Sequence, residues 1–576
     1  MVALLASMMP HRLTQATSWL ALLLTAALVQ SPHLWFEVGA PNMDFIAHLL
    51  WVDQMGASLA NLELYPRWVH ASNYGLGSPA LLYYAPGYFY GVALLNLLID
   101  DIWVSIRIFE LAASLLTGAF ALALFRSHGV ARLSATLGAM ALQLAPVPFL
   151  IALHFSGLPW ATSFAALTAL GYALLRGDRD PESRLDPGVI LALAAVILMH
   201  TLTGLMALIG FSALGLRHLG LRHIGRGDGR PWNRFGSWLR WWALSVVIAL
   251  MLAGLHLIPA LTSFDLASTV NWTAFYKPDN AFLLPVFTAP VHGMRWPTMQ
   301  VAVPLLLLPT VLGVFGYLRG QGAEMDAPRR RAITGLLMVS GVALALGSEL
   351  AYPLWMLDSP LLKVQFPFRF VVVVQLTALL ALVLVLDHAI RTHARRAIRI
   401  GVALLALHLL IGAGLVVKMD FIEGRPMDVE ALRTAPFKGI PEFRPGEAQL
   451  SAWLEWLEQG GQAKECALQS LECASIVMPD RATQWEVVNP HATPVPLRLS
   501  MFDFPAWTMR RDDAPIAHRS ANPSGLIQVE VPPGRHRFRA EWQRLPQEWA
   551  GFASSGLGLL IWLGLVWRRR SAFSRR

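Results

Sequence analysis

Charge is what this sequence has least of. Asp, Glu, Lys and Arg make up 14% of its 576 residues, where a water-soluble chain carries about a quarter. That deficit excludes a string of soluble domains, a nucleic-acid-binding domain and a disordered scaffold, because none of them could face water with so few charges. Cysteine is nearly absent too: Cys466 and Cys473 are the whole complement, and their spacing matches no metal site. The basic loops contain no convincing glycine-rich phosphate loop. Apolar side chains stand where charge is missing, at 55% of the chain and a mean hydropathy of +0.48. The solvent for most of this protein is therefore lipid. Its formal net charge of +9 then reads as an orientation signal and not as affinity for nucleic acid.

Apolar runs long enough to cross a bilayer, about 20 residues, predict twelve spans. They fall near 18–36, 104–125, 133–151, 158–175, 188–199, 202–217, 239–261, 301–317, 332–350, 368–387, 400–417 and 549–567. The first lacks a small-residue cleavage site before Glu37 and reads as an anchor. Two stretches need a decision. Residues 78–98 are apolar but contain Pro79, Pro86, Gly87, Gly91 and tyrosines 83, 84, 88 and 90, a composition of the interface and not of a straight span. Residues 188–217 are too long for one span and break at His200-Thr201-Leu202-Thr203-Gly204, which predicts a hairpin of two short helices with His200 as a polar cap. With these choices 24 arginines, among them Arg126, Arg132, Arg176, Arg329, Arg391 and Arg569, fall on one face. The short loops of the other face hold five basic residues: Arg67, Lys277, Arg295, Lys363 and Arg369. The basic face is expected to be cytoplasmic, with both termini inside.

The expected architecture is an all-α polytopic membrane protein of about 12 helices with a C-terminal extracytoplasmic α+β domain. Residues 1–417 form the transmembrane part, with a long first outer loop at 37–103. Residues 418–548 form a β-rich domain, and 549–576 a final span with a basic tail. Within 418–548, a helical stretch around 448–457 precedes alternating runs at 496–501 and 526–531 and the turn Pro532-Pro533-Gly534, a pattern for a small β-sandwich. Cys466 and Cys473 lie in this block. Seven residues apart on one helix they would be about 10 Å apart, beyond disulfide reach, so a bridge requires a loop between them. Both states stay open.

Ionisable groups held at the membrane boundary beside a cavity are costly and mark candidate sites. If 43–60 is helical, Asp44 and His48 lie one turn apart on the same face. That pair makes a base with a positioning partner, or half a metal site. It equally suits a helix start, with Asp against the dipole and His at the interface. Asp53 is either a solvated helix face or a metal partner of Asp44. The segment 73–79 reads as a turn whose Gly75 and Gly77 would let backbone approach a sugar, with Tyr83 and Tyr84 as a stacking surface. Arg107 and Glu110, three apart, fit a structural ion pair.

The patterns Asp44-x3-His48, Tyr65-Pro66-Arg67-Trp68, Gly75-x-Gly77-x-Pro79 and Tyr84-x-Pro86 together resemble the opening signature of a bacterial polytopic family. Its members are labelled 6-pyruvoyl-tetrahydropterin synthase-related and stand close to the YfhO-like membrane glycosyltransferases and the GT-C superfamily. Gln365-Phe366-Pro367-Phe368-Arg369-Phe370 resembles that family's second hallmark. Phe504-Pro505-Ala506-Trp507 and the run from Val531 to His536 resemble the terminal β-domain of the YfhO-like members, although Ala506 stands where that pattern has glycine. The family label is no sign of pterin chemistry, since no histidine cluster suits a zinc pterin enzyme.

The resemblance implies an inverting GT-C glycosyltransferase on the outer face of the bacterial inner membrane. The donor would be a polyprenyl-phosphate-linked sugar and the acceptor an envelope glycan, lipid or protein. Asp44, assisted by His48, would be the base, or would position a divalent ion such as Mg or Mn; no other cofactor is implied. A lipid phosphate leaving group needs fixed positive charge. Arg369 and Lys363 are the first candidates, followed by Arg107, where many GT-C proteins carry an arginine, and Arg67. Lys277, His292 and Arg295 complete the outer set. An arginine at a span end also serves by snorkelling to headgroups. The alternatives are a non-catalytic envelope-polysaccharide assembly factor, or a lipid or glycan transporter, for which the sequence offers no matching halves.

Overall fold

In a computed structural model of the chain the described residues are 15–35, 38–39, 43–153, 155–176, 185–218, 230–267, 281–287, 298–357, 361, 364, 366–423, 425–440, 443–446, 449–477 and 483–574. The first half contributes α1 (Gln15–Val29), α2 (Met43–Ala60), α3 (Gly87–Ile99), α4 (Ile102–Ser127), α5 (Arg132–Gln143), α6 (Pro146–Leu153) and α7 (Leu158–Leu175). Then follow α8 (Pro187–Met199), α9 (Thr201–Ser212), α10 (Arg230–Leu252), α11 (Gly254–Thr262), α12 (Val303–Gln321), α13 (Ala327–Gly347), α14 (Val371–Arg391) and α15 (Arg395–Lys418). Beyond the bundle come α16 (Leu450–Glu458), α17 (Gly461–Leu468), eight strands, and α18 (Pro546–Ser574).

Among the described residues nine helical segments are long and apolar enough to cross a bilayer, and each coincides with an expected span. The other three expected spans fall on shorter apolar helices, Gln15–Val29, Pro187–Met199 and Thr201–Arg217, so among the described residues nine of the twelve are full-length. Thirteen residues reach about 20 Å, short of a ~30 Å hydrocarbon core. The same arithmetic applies to α3, which starts after Pro86 and leaves 78–98 without a full-length span. The break between α8 and α9 is at His200, whose φ of −159° and ψ of 106° are extended. The two helices approach closely just beyond it: a Cβ on Gly204 would stand 2.9 Å from Ile197 Cα.

The helix at the centre of the bundle is α14. Its sequence from Val371 to Ala389 is apolar all round apart from Gln375, Thr377, Asp387 and His388, and every one of these residues is buried. A helix without a polar face has to be enclosed on all sides. The last helix, α18, is the opposite case, with 11% of its apolar window buried. It is held to α10 and α11 by small residues, since a Cβ on Gly558 would stand 2.9 Å from the Leu252 nitrogen.

The arginine-rich helix ends meet on one face. Asp186 joins Arg176 at 2.6 Å to Arg569 at 3.0 Å. Asp387 at the end of α14 joins Arg329 at 3.1 Å to Arg391 at 2.9 Å. This is the grouping the loop charges anticipate.

Val38–Gly39 pairs with Arg425–Pro426 in a two-stranded ribbon, and at the opposite end eight further strands form two sheets. A five-stranded sheet runs β1 (Glu472–Val477), β2 (Thr483–Asn489), β8 (Gly534–Trp542), β4 (Trp507–Arg511), β5 (Ala514–Ile516), and a three-stranded one runs β3 (Val495–Phe502), β7 (Leu526–Val531), β6 (Arg519–Ala521). All pairs are antiparallel, and alternate side chains such as Trp485, Phe538, Leu499 and Val529 share one core. Cys466 lies in the last turn of α17 and Cys473 sits in β1. The turn between them brings their Cα atoms to 6.2 Å, and they form a disulfide.

Arg67 ties these parts together. Its Nε donates to Glu548 Oε1 at 2.7 Å, with both side chains fully enclosed, and its Nη2 donates to the Leu255 carbonyl at 3.0 Å. The guanidinium also lies 3.8 Å over the Tyr65 ring. The expectation that Arg67 binds a donor phosphate is therefore corrected: its charge is spent on Glu548 inside the protein. Removing either partner alone, by Arg67→Ala or Glu548→Ala, is expected to cost about 3–5 kcal/mol by chemical unfolding in detergent, whereas Arg67→Met with Glu548→Leu recovers most of it.

Candidate active site

One face of α2 presents Asp44, Ala47, His48 and Trp51, the i, i+3, i+4, i+7 spacing of a helix. All four line a cavity of about 620 Å³, a volume typical of ligand sites. Tyr83, Tyr84 and Ala85 enter it from the kink before Pro86, and Ile197, His200 and Thr201 from the break between α8 and α9. Phe366 and Arg369 enter from the turn Pro367–Phe370 that starts α14. Ile440 and Phe443, from the segment between α15 and α16, cover it. The remaining wall is apolar apart from His256, with Leu202, Leu205, Leu208, Leu250, Leu257 and Leu261 among its larger residues.

Asp44 is the unusual group. Its side chain is exposed into the cavity that it lines. Burial raises its pKa from 3.8 to about 6, and the Arg369 charge works against that rise. Arg369 is held by a 2.8 Å hydrogen bond from Nη1 to the Val364 carbonyl, and its guanidinium lies 4.8 Å from the Phe366 ring centre and 5.4 Å from that of Trp160.

The two histidines have opposite hydrogen-bonding sense. His48 Nδ1 is 3.0 Å from the Ser156 carbonyl, which can only accept, so Nδ1 carries the proton and Nε2 is the basic nitrogen. Burial lowers the His48 pKa to about 3, which keeps the ring neutral. His200 Nδ1 instead accepts from the Thr203 backbone N–H at 3.2 Å, capping α9, so a neutral His200 is protonated on Nε2. Its ring stacks on Trp160 at an interplanar angle of 17°. His256 also lines the cavity, with Nε2 2.9 Å from Thr201 Oγ1. The sequence pointed to neither His256 nor Trp160, because nothing in its local pattern separates an intramembrane polar residue of a site from one of the core.

The structure thus gathers Asp44, His48, Tyr83, Tyr84 and Arg369 around one cavity and places the other described candidates elsewhere. Gly75 and Gly77 shape a turn with φ of +89° and +84°. Gly77 lies against the Trp68 indole, 2.1 Å from where a Cβ would be, and neither glycine lines the cavity. Arg107 lies over the Trp103 ring at 4.7 Å, and Glu110 pairs with His33 at 2.7 Å, so the expected Arg107–Glu110 pair is replaced. Asp53 pairs with Arg433 at 3.2 Å. It sits nine residues from Asp44 on the continuous helix α2, about 13 Å along the axis, too far to share an ion with it. Among the described residues no group of three or more His, Cys, Asp or Glu is arranged to hold a metal. Lys363, Lys277, His292 and Arg295 lie outside the described residues.

No protein-family model matches the sequence, and no curated protein matches it. Among solved structures the fold is similar to that of the arabinofuranosyltransferase AftD from Mycobacteria, at 16% identity and a TM-score of 0.39. The match covers 78% of this chain and 29% of that one, so this chain spans under a third of that protein's length. A likeness this distant carries no conclusion about activity.

The raised pKa of Asp44 has a consequence for stability. The folded protein binds this proton more tightly than the unfolded chain, so the contribution of Asp44 turns unfavourable as pH rises from about 4 through about 6. Asp44→Asn is therefore expected to raise the thermal midpoint at pH 7.5 and to leave it unchanged near pH 4, as read by tryptophan fluorescence in detergent.

Proposed function

We propose that this protein is a membrane glycosyltransferase of GT-C type that takes its sugar from a polyprenyl-phosphate donor. The observation that carries the reading is a cavity holding a carboxylate of raised pKa and an arginine at one end and an apolar wall at the other. Leu250 and Leu261 of that wall also belong to the exposed apolar surface of the bundle, which supports side access for a lipid tail. The arginine-rich face lies at the far end of the helices. By the positive-inside rule this supports an extracytoplasmic cavity and cytoplasmic termini.

In this reading the acceptor hydroxyl gives its proton to Asp44 and attacks the anomeric carbon from the side opposite the phosphate. The bond to the phosphate oxygen breaks with inversion, and Arg369 meets the charge that develops on the leaving group. His48, kept neutral with Nε2 as an acceptor, orients the hydroxyl. The tyrosine pair Tyr83 and Tyr84 offers the sugar a stacking surface.

The test is transfer measured in nanodiscs loaded with a prenyl-phosphate sugar, together with a comparison of envelope glycans from cells with and without the gene. Asp44→Asn is expected to lower the rate about 10²–10⁴-fold with donor affinity little changed. Arg369→Ala is expected to weaken donor binding about tenfold or more. Full transfer by Asp44→Asn would sink the assignment of the base.

A further inference from the structure

Away from that cavity, the helices α4, α5, α6 and α7 and the end of α1 enclose a second, smaller one of about 50 Å³. Its polar lining is Gln30, Glu110, Ser114, Thr117, Gln143 and Thr162. The Gln143 amide nitrogen donates to the carbonyls of Leu22 at 3.0 Å and Ser114 at 3.1 Å. Both partners can only accept, so the nitrogen and oxygen of this amide cannot be exchanged, and Oε1 is the atom left over. Gly118 leaves the amide its place: a Cβ there would stand 2.8 Å from Gln143 Cδ. Among the described residues Gln143 Oε1, Glu110 Oε1 and Ser114 Oγ are all buried without a hydrogen-bond partner. The second Glu110 oxygen is 2.7 Å from His33 Nδ1, with both side chains 2% exposed.

We infer that this cavity is a binding site for a small monovalent cation, with sodium as the probe. A carboxylate at membrane depth with a single donor is poorly compensated. With His33 neutral and donating Nδ1–H, the site offers one negative charge, one amide oxygen and one hydroxyl oxygen. Hard oxygen ligands of this kind suit an alkali cation, and one positive charge balances the carboxylate where two would overshoot. The volume has room for about three water-sized particles, so an ion and one or two waters fit. Water alone would occupy the acceptors but leave the carboxylate charge in hydrocarbon. A protonated His33 would neutralise Glu110 and leave Gln143 Oε1 unused.

The experiment is thermal unfolding of the full chain in lipid nanodiscs, with sodium chloride exchanged for choline chloride at constant ionic strength. The expected result is a saturable rise in Tm with sodium and none with choline. Glu110→Gln is expected to fold in choline and lose the response. Ser114→Ala, which removes one oxygen ligand, is expected to raise the half-saturating sodium concentration about fivefold. Equal midpoints in sodium, potassium, lithium and choline overturn the proposal and assign the cavity to ordered water or to an imidazolium–carboxylate pair. A full sodium response in Glu110→Gln overturns it as well. Should Glu110→Gln fail to fold, Ser114→Ala decides: an unchanged half-saturation point rejects the site.

Discussion

Hydrocarbon gives a charge no solvent, and the bundle is organised around that constraint. Two deeply enclosed arginines are each held by a carboxylate from a distant segment. Arg67 meets Glu548 across 481 positions of sequence, and Arg329 meets Asp387. Such pairs add little net stability, because desolvation offsets their attraction, but leaving one partner alone is expensive. They therefore act as constraints on which segments must be adjacent. Asp44 is a different case. Burial raises its pKa, and the charge of Arg369 across the cavity works against that rise. A carboxylate of raised pKa on the wall of a cavity marks a candidate site.

The cavity exists because segments far apart in sequence are sewn together above it. The turn after Trp68 places Asn73, Tyr74, Gly75 and Gly77 at positive φ. That geometry aims backbone and side-chain groups at the segment following α15. Tyr74 N donates to the Phe437 carbonyl at 2.8 Å, Ser78 Oγ to the Phe443 carbonyl at 2.7 Å, and Arg444 Nε to Asn73 Oδ1 at 2.9 Å. The other side of the same turn reaches the β-domain, where Phe502 N donates to the Leu76 carbonyl at 2.9 Å. Gly77 lacks a side chain because the Trp68 indole occupies its space, and Trp68 in turn packs on Trp507 and Trp542 of the sheets. The β-domain is thus the brace that keeps the first loop, and with it Asp44, over the end of the bundle.

This division explains what could be read from the sequence. Apolar run length located the nine long helices, and the loop arginines grouped their ends, because both signals are local and follow from the solvent alone. The four-residue spacing of Asp44 and His48 was equally local, and a helix realises it directly. The arginines were not legible in the same way. Arg67, Arg107 and Arg369 share a residue type and a position near a predicted span end, and only their partners distinguish them. Arg67 is ion-paired with Glu548 and Arg107 lies over the Trp103 ring, while Arg369, hydrogen-bonded to the Val364 carbonyl, lines the cavity. Gly75 and Gly77 were legible as a turn, but what the turn touches depends on strands more than 400 residues later. The disulfide was undecided for a similar reason: the break after α17 that closes the distance leaves no strong local signature.

The polarity around the large cavity narrows what it can hold. His48 offers an acceptor, His200 a protonated Nε2, Asp44 an acceptor that titrates near 6, and Arg369 a fixed cation. A purely anionic ligand would meet Arg369 well but would face the Asp44 carboxylate without a proton to share. A purely apolar one would bury Asp44 and Arg369 with nothing to replace their water. A molecule that joins an anion to a hydroxylated ring and an apolar tail satisfies all three regions at once, and the aromatic rings of Tyr83, Tyr84 and Trp51 suit the faces of such a ring. In the proposed reaction the raised pKa of Asp44 suits a group that takes the proton of an arriving hydroxyl.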